Sequence, residues 1–594
     1  MIRTPLRPLA RIIDARNKGE NPDQIEAFER AKRNQAKQQK VRKRAEARLT
    51  LLGLVFFLGF AAIGGKMAVL ANSTPEEPKL STSTPKIYSQ RADIVDRNGY
   101  VLATNLATTA LYAQPQMMVA PERAATELVK IFPDIKLTGL LKEFTGKRTF
   151  VWVRKKLSPE QEQQVHDIGE PGLLFGPREM RLYPNGRLAA HILGGTGFGK
   201  EGVRAAELVG VAGVEKFFDK RMRDPAMVDK PLQLSIDMTA QATTRRVLEG
   251  GMKIMDAKGA AAILMDVHTG EVISMVSLPD FDPNRRPPIL LKGDPSDSPL
   301  FNRAAQGVYE LGSTFKPFTV ALALDKGIVT EDTMIDTRGP IKWGKFKISD
   351  FHNYGPELSV MDVIVESSNI GSARIAQSVG IEAQKKFFGQ LGLFQPTSLE
   401  LTESTHIKPL VPKNWSELTT MTASYGHGIA ITPLHLAAAY ATLANGGYQI
   451  EPTLLKAQSS NRYGARIISD TTSKTVMRML RNVVTRGTAS FGNVKGYAVG
   501  GKTGTADKPD PSGGYYDDKD ISTFAAVFPS NDPKYVLILT LDEPSIIAAG
   551  ETRRAAGWTA VPVANELITR LAPILNLRPD IAGSGKVQYT QVKN

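Results

Sequence analysis

Leu49 to Gly65 runs for 17 residues without a charge, and that run splits the chain into two compartments. As a helix it covers about 26 Å, slightly short of the ~30 Å hydrocarbon core of a bilayer. Continuing through Lys66 to Ala71 supplies the missing length, because the Lys66 ammonium can snorkel to the far interface. Before the run, Met1 to Arg48 carries 14 Lys and Arg against 6 Asp and Glu, a net +8 out of +15 for the 594-residue chain. A basic flank ahead of an apolar helix is the positive-inside pattern. The expectation is a cytoplasmic tail over 1–48, a single-pass inner-membrane anchor over 49–71, and a periplasmic remainder. Small residues near Ala68 and Ala71 would suit a cleaved signal peptide, but the tail is long for one. A nucleic-acid arm is disfavoured, since the basic run abuts the span and has few aromatics. Anionic headgroups or a partner protein suit it better.

The exported part is long enough for two domains. Cysteine is absent, which excludes disulfides and thiolate metal sites, and the seven histidines show no metal-ligand spacing. No metal and no cofactor are expected. A Pro/Ser/Thr/Glu linker covers 72–88. Arg91 to Ala103 then reads as strand, Asn98-Gly99 turn, strand. Short mixed elements continue to about residue 230 without clustered chemistry, as in a pedestal or dimerisation-like domain. A second domain, 231–576, opens with a strand at Leu232 to Ile236 and a helix from Met238 to about Met255. Ala260 to Val267 and Glu271 to Ser277 form a hairpin. Helices are expected around Ser313 to Asp325, Val360 to Val379 and Pro433 to Asn445. Strands return at Ser522 to Phe528 and Tyr535 to Leu541, before a last helix at Val561 to Ile574 and a tail over 577–594. Strands at both ends with helices between predict an α+β fold with one antiparallel sheet built from the domain's two termini.

Three short motifs carry the chemistry: Ser313-Thr314-Phe315-Lys316, Ser367-Ser368-Asn369 and Lys502-Thr503-Gly504-Thr505. Each alone is weak, since roughly a couple of S-x-x-K matches arise by chance in such a length. A second one stands at Ser83-Thr84-Pro85-Lys86, where proline and the linker composition preclude a helix. A second S-x-N, Ser459-Ser460-Asn461, falls between strand-like runs (Thr453 to Ala457 and Ala465 to Ile468) and reads as a hairpin turn. Gly496 to Thr503 matches a P-loop, but the Pro/Gly-rich stretch after it cannot open the required helix. Gly197 to Gly202 spells G-x-G-x-x-G with no βαβ unit around it.

In helical spacing, Ser313 and Lys316 share a face, and Pro317 places both in the first turn, where free N–H groups can hold an oxyanion. Serine needs a base, and a lysine near pKa 10.4 is a poor one unless something lowers it. A second ammonium, Lys502, about 4–5 Å away would cost ~3–4 kcal/mol at an effective dielectric near 20, enough to lower the pKa by ~2–3. Desolvation pushes the same way. Ser367 and Asn369, two apart in a turn-like break, can face one cleft, where Ser367 suits a proton relay and Asn369 a substrate amide. Gly500, Gly501 and Gly504 leave a strand edge open to an extended peptide, and the Thr503 and Thr505 hydroxyls suit a terminal carboxylate.

With 54 residues from Ser313 to Ser367 and 135 from there to Lys502, the chain closely resembles the class B penicillin-binding proteins. Arg97-Asn98-Gly99, Thr269-Gly270-Glu271, Phe281-Asp282-Pro283-Asn284 and Tyr309 to Lys316 extend the likeness. Leu311 departs from it, standing where the family often has proline. The resemblance implies a pedestal domain followed by a penicillin-binding transpeptidase domain, an antiparallel sheet flanked by helices with an all-helical subdomain. It implies a D,D-transpeptidase acting on peptidoglycan stem peptides of nascent glycan made from lipid II. Ser313 would form the acyl-enzyme with release of D-Ala, and β-lactams would acylate it. Lys316, Ser367, Asn369 and Lys502 would complete the catalytic set. Thr503, Gly504 and Thr505 would bind substrate, with the backbone N–H groups of Ser313 and Thr505 as oxyanion hole. The likeness is greatest to the septal FtsI type, implying an FtsW-like glycan polymerase and other divisome proteins as partners. An elongation-specific paralogue is the alternative. A membrane-anchored β-lactam sensor fits less well, because 1–48 is too short for a signalling module.

Overall fold

The computed structural model describes residues 7–72, 91–201, 206–459 and 462–580. Ser83-Thr84-Pro85-Lys86, most of the linker, Gly202, Ser460, Asn461 and tail residues 581–594 lie outside the described residues. Two compact units form among the described ones.

The first unit holds residues up to 72 together with 113–152 and 165–174. Its dominant element is one 51-residue helix, α1 (Pro22–Asn72), so the basic segment from residue 22 onward runs into the uncharged stretch as a single rod. Arg48–Ala68 within it is long and apolar enough to cross a membrane, and none of it is buried in protein. Further on, helices Pro121–Ile131 and Leu137–Phe144 pack through Ala124, Leu128, Leu140 and Phe144. Glu170 supplies the cap that Ala120 lacks, its carboxylate accepting from Val119 N (2.6 Å) and Ala120 N (3.0 Å).

The second unit contains the motifs. Ile94–Val95 pairs antiparallel with 101–103 across the Asn98-Gly99 turn. The strand expected at Leu232 to Ile236 is only Leu232–Gln233, and it pairs parallel to Ile94–Val95 rather than joining the large sheet. A buried ion cluster stands behind this ladder: Glu215 receives Arg91 at 2.6 Å and Arg181 at 2.7 Å. Charges so desolvated are held only by full pairing.

The large sheet contains β1 (Gly259–Asp266), β2 (Val272–Leu278), β3 (Gly500–Pro509), β4 (Tyr515–Phe528) and β5 (Tyr535–Asp542). Its order is β3-β4-β5-β1-β2, every neighbour antiparallel, so both ends of the domain build one sheet as expected. Helices α2 (Met238–Ile254), α3 (Lys316–Asp325), α4 (Val360–Val365), α5 (Asn369–Val379), α6 (Pro433–Ala444), α7 (Asp470–Arg486) and α8 (Ala560–Ile574) surround it. A Cβ on Gly251 would lie 2.5 Å from Val563, which shows how closely α2 and α8 cross. Helix α6 is buried almost all round and packs on β1 and β5.

One expectation is corrected here. Thr453 to Ala457 and Ala465 to Ile468 do not form a hairpin: Thr453 and Leu455 bridge Glu271 and Leu234, whereas Arg466 bridges Tyr448. The helical region over Val360 to Val379 is two helices, α4 and α5, parted at Ser367, where a turn-like break was expected. Helix α7 has no counterpart in the sequence reading, although its Val476, Met479, Leu480 and Val483 follow helical spacing.

Candidate active site

Ser313 sits in a 3-10 turn, Gly312–Phe315, that runs directly into α3. Gly312 makes the turn possible with φ +56°, and a Cβ there would lie 2.7 Å from Thr505 O. Gly504 mirrors it, since its Cβ would meet Leu311 O at 2.2 Å. Two side-chain-free positions therefore let the serine turn lie against the β3 backbone. From below, Tyr440 Oη donates to Thr314 O at 2.8 Å, and Phe315, Phe318 and Phe388 pack edge to face under the turn. Such aromatic pairs add about 0.5–1.5 kcal/mol each beyond simple burial.

Lys316 is fully buried, and its Nζ is the hub of the site. It lies 2.8 Å from Ser313 Oγ, 2.8 Å from Asn369 Oδ1, 3.0 Å from Ser367 Oγ and 2.5 Å from Ser367 O. Lys502, also fully buried, reaches the same Ser367 hydroxyl at 2.8 Å and Thr503 O at 3.2 Å. Burial pushes the Lys316 ammonium well below the usual lysine range, with the Lys502 charge second and Asp350 opposing. That order corrects the sequence argument, which put the second ammonium first. Burial alone brings Lys502 down to about 7.

The break between α4 and α5 aims Ser367. Its φ of +65° is rare for a residue with a side chain and turns its hydroxyl toward both lysines. Asp350, which the sequence reading missed, holds the break: its carboxylate accepts from Ser368 Oγ (2.7 Å), Asn369 N (2.5 Å) and Ile370 N (3.0 Å). Ser368 caps α5 by accepting from Gly371 N at 2.9 Å. The Asn369 amide, read as a substrate contact, spends its oxygen on Lys316 and one Nδ2 hydrogen on Ser349 O (3.1 Å). One Nδ2 hydrogen remains for a ligand.

On β3, a strand rather than a P-loop, side chains alternate, so Thr503, Thr505 and Asp507 share a face and all line the cleft. Thr503 Oγ1 shares a hydrogen bond with Thr488 Oγ1 (2.8 Å), and Thr505 Oγ1 accepts from Ala556 N (2.9 Å). Thr505 keeps its own hydroxyl hydrogen for a ligand. The cleft encloses about 620 Å³ and is also lined by Tyr425, His427 and Trp558. His427 Nδ1 stands 3.1 Å from Glu310, which raises the imidazole's pKa, and Tyr515 Oη donates to the same carboxylate at 3.0 Å. Sequence carried no signal for this pair, because 117 positions separate its members.

β3 is an edge strand, so one row of its backbone groups is open to an added strand. The site combines a hydroxyl touching a buried lysine, a second lysine linked to it through one more hydroxyl, and a pairing edge alongside. Among the described residues no cluster of metal-ligating side chains occurs.

Residues 260–569 match the penicillin-binding protein transpeptidase domain, and 86–225 match the penicillin-binding protein dimerisation domain. The chain is 37% identical over 498 residues to the probable peptidoglycan D,D-transpeptidase FtsI of Caulobacter vibrioides, covering 82% of each. It is 28% identical over 574 residues to the peptidoglycan D,D-transpeptidase FtsI of Escherichia coli, covering 91% of this chain and 93% of that one. The fold matches the crystal structure of penicillin-binding protein 3 from Mycobacterium tuberculosis complexed with aztreonam, with a TM-score of 0.62. That comparison covers 83% of this chain and 97% of the other at 24% identity.

Proposed function

The chain belongs to the penicillin-binding protein transpeptidases and is a peptidoglycan D,D-transpeptidase of the FtsI type, and we propose that it cross-links stem peptides through an acyl ester on Ser313. The observation that carries this reading is the 2.8 Å approach of the buried Lys316 Nζ to Ser313 Oγ. A lysine held neutral by burial takes the Ser313 proton, and Oγ attacks the carbonyl of the penultimate D-Ala. Backbone N–H groups of Ser313 and Thr505 receive the oxyanion. The donor lies along β3 as an added strand, its terminal carboxylate toward Lys502, Thr503 and Thr505. As the C–N bond breaks, the proton passes from Lys316 through Ser367 to the departing D-Ala amine. An amine of a neighbouring stem then attacks the ester, forms the new amide and returns Ser313 to its hydroxyl state.

The same reading places the protein in the inner membrane on a single anchor, N-terminus cytoplasmic and catalytic domain periplasmic, as a β-lactam target working at the division septum. Names of the relatives and the apolar stretch Arg48–Ala68 support it. Its partners would be a glycan polymerase and other division proteins. Labelling with a fluorescent penicillin, wild type against Ser313→Ala, tests the nucleophile. Loss of label in the variant is expected, and label persisting at Ser83 or Ser459 would overturn the assignment. A tagged copy concentrating along the sidewall instead of midcell would overturn the septal role.

A further inference from the structure

Transfer to an amine leaves one proton without a destination in the lysine network. An acceptor arriving as an ammonium carries three hydrogens on its nitrogen. One stays in the new amide, and one passes through Ser367 and Lys316 to Ser313 Oγ as the ester C–O bond breaks. The third must leave before attack, since an ammonium has no lone pair to form the C–N bond. Kept on Lys316, it would leave that base charged for the next turnover. Resting on the transpeptidase reading above, we propose that His427 is a further catalytic residue, whose Nε2 takes this proton from the acceptor ammonium and passes it to solvent.

Position supports the assignment. Gly426 packs on the nucleophile's turn so closely that a Cβ there would clash with Gly312 O and lie 2.8 Å from Gly312 N. His427 follows directly on that contact and lines the same cleft as Ser313. Its side chain is 46% exposed, open to a substrate and to water.

Orientation supports it as well. Glu310 accepts from Gly428 N and from Tyr515 Oη, both at 3.0 Å, which fixes its carboxylate. Its other oxygen stands 3.1 Å from His427 Nδ1. A carboxylate there keeps a hydrogen on Nδ1 and leaves the lone pair on Nε2. Among the described residues no hydrogen bond reaches Nε2, so the lone pair is open to a ligand. The rings of Tyr425 and Tyr515, with centroids 6.4 and 5.2 Å away, restrict rotation of the imidazole. Glu310 raises the imidazole's pKa, burial opposes it, and the Asp507 charge adds to the rise, which strengthens Nε2 as a base. Tyr425 and Tyr515 face it as neutral phenols, because burial pushes both pKa values up.

Capture of the acyl-enzyme separates this role from a structural one. Ser313 is acylated with an N-acyl-D-alanyl thioester, and capture by Nα-acetyl-lysine or by hydroxylamine is timed by chromatography. The first amine has a pKa near 10.4 and is an ammonium at pH 7, whereas hydroxylamine is already neutral there. His427→Gln should slow capture by the lysine amine ~100-fold more than it slows acylation. With hydroxylamine the deficit should shrink below about threefold, since no proton has to leave before attack. In the wild type, capture by the lysine amine should level off above the imidazole's pKa. In the variant it should climb about tenfold per pH unit toward the amine's own pKa. Glu310→Gln removes the main cause of the raised imidazole pKa and should start the plateau at lower pH. An equal loss with both acceptors, or capture of the lysine amine no faster in the wild type than in His427→Gln, overturns the role of His427. A wild type that the thioester does not acylate overturns the Ser313 reading itself, a different failure.

Discussion

Lys316 and Lys502 meet on one atom: the Ser367 hydroxyl lies 3.0 Å from the first ammonium nitrogen and 2.8 Å from the second. A hydroxyl both donates and accepts, so it can join the two nitrogens while only one of them is charged. The Lys502 charge is therefore felt at Lys316, whose pKa it lowers after burial has done so.

Removing Lys316 should abolish acylation, because no other described amine lies within hydrogen-bonding distance of Ser313 Oγ. Replacing Lys502 tests the coupling. Its charge is the second cause, after burial, of the lowered Lys316 pKa. Loss of that charge raises the Lys316 pKa, so the acid limb of the acylation profile of Lys502→Ala moves to higher pH. The check is penicillin acylation measured between pH 5 and 10. A limb that stays in place or moves down would show the lysines to be independent.

Stability should respond in the opposite direction to activity. Lys502 titrates at about 7 in the folded protein and near the usual ~10.4 when unfolded. Between those values the unfolded chain holds a proton that the folded one lacks. This contribution is therefore at full strength above the unfolded pKa and is lost as pH falls toward 7. Lys502→Met removes the penalty but also the hydrogen bonds to Ser367 Oγ and Thr503 O. A net gain of about 1–3 kcal/mol at pH 7 is expected, a few degrees in Tm, with acylation reduced ~100-fold or more. Thermal melts at pH 7 and pH 10 measure it, and a variant less stable at pH 7 than the wild type contradicts it.

What the sequence made legible follows from how local each signal is. The sheet hairpin at Ala260 to Ser277 and the strands on either side of Pro529 to Pro533 are apolar runs bounded by turn residues, and they appear where expected. The three motifs also meet, because each carries its own spacing and glycines. Asp350 and the Glu310–His427 pair carry no such local mark: their partners are set by chain folding alone. The break at Ser367 was legible only as a turn, since no composition rule announces a positive φ on serine. Helix α7 escaped notice because its apolar positions are diluted by Thr, Ser, Arg and Lys.

That break gives a separable prediction. Ser367 holds φ +65°, which costs on the order of 1 kcal/mol or more for a residue with a Cβ, while glycine adopts it freely. Ser367→Gly should therefore melt at or slightly above the wild-type temperature, yet acylate at least ~100-fold more slowly for want of the relay hydroxyl. Ser367→Ala loses the same hydroxyl without relieving the backbone and should be the less stable of the two. Equal melting temperatures would mean that the surrounding structure does not strain this residue.

Gly312 and Thr505 set how closely the nucleophile's turn can approach the strand. A methyl group on Gly312 would sit 2.7 Å from Thr505 O and 3.3 Å from Thr505 N, inside contact distance of a backbone that cannot swing aside. Positive φ at Gly312 adds strain of about 1–2 kcal/mol for alanine. Gly312→Ala should therefore push the Ser313 turn off β3 and widen the gap between the two N–H groups assigned to the oxyanion. Penicillin acylation is expected to fall ~100-fold or more, the loss typical of a misplaced oxyanion donor, with a stability cost of about 1–3 kcal/mol. The two effects separate by position: Gly327→Ala, at an open surface turn with φ +66° and nothing within 4 Å, carries the same backbone strain without touching the site. If the two variants lose equal stability and both acylate normally, close approach of Gly312 to Thr505 is not what shapes the oxyanion site.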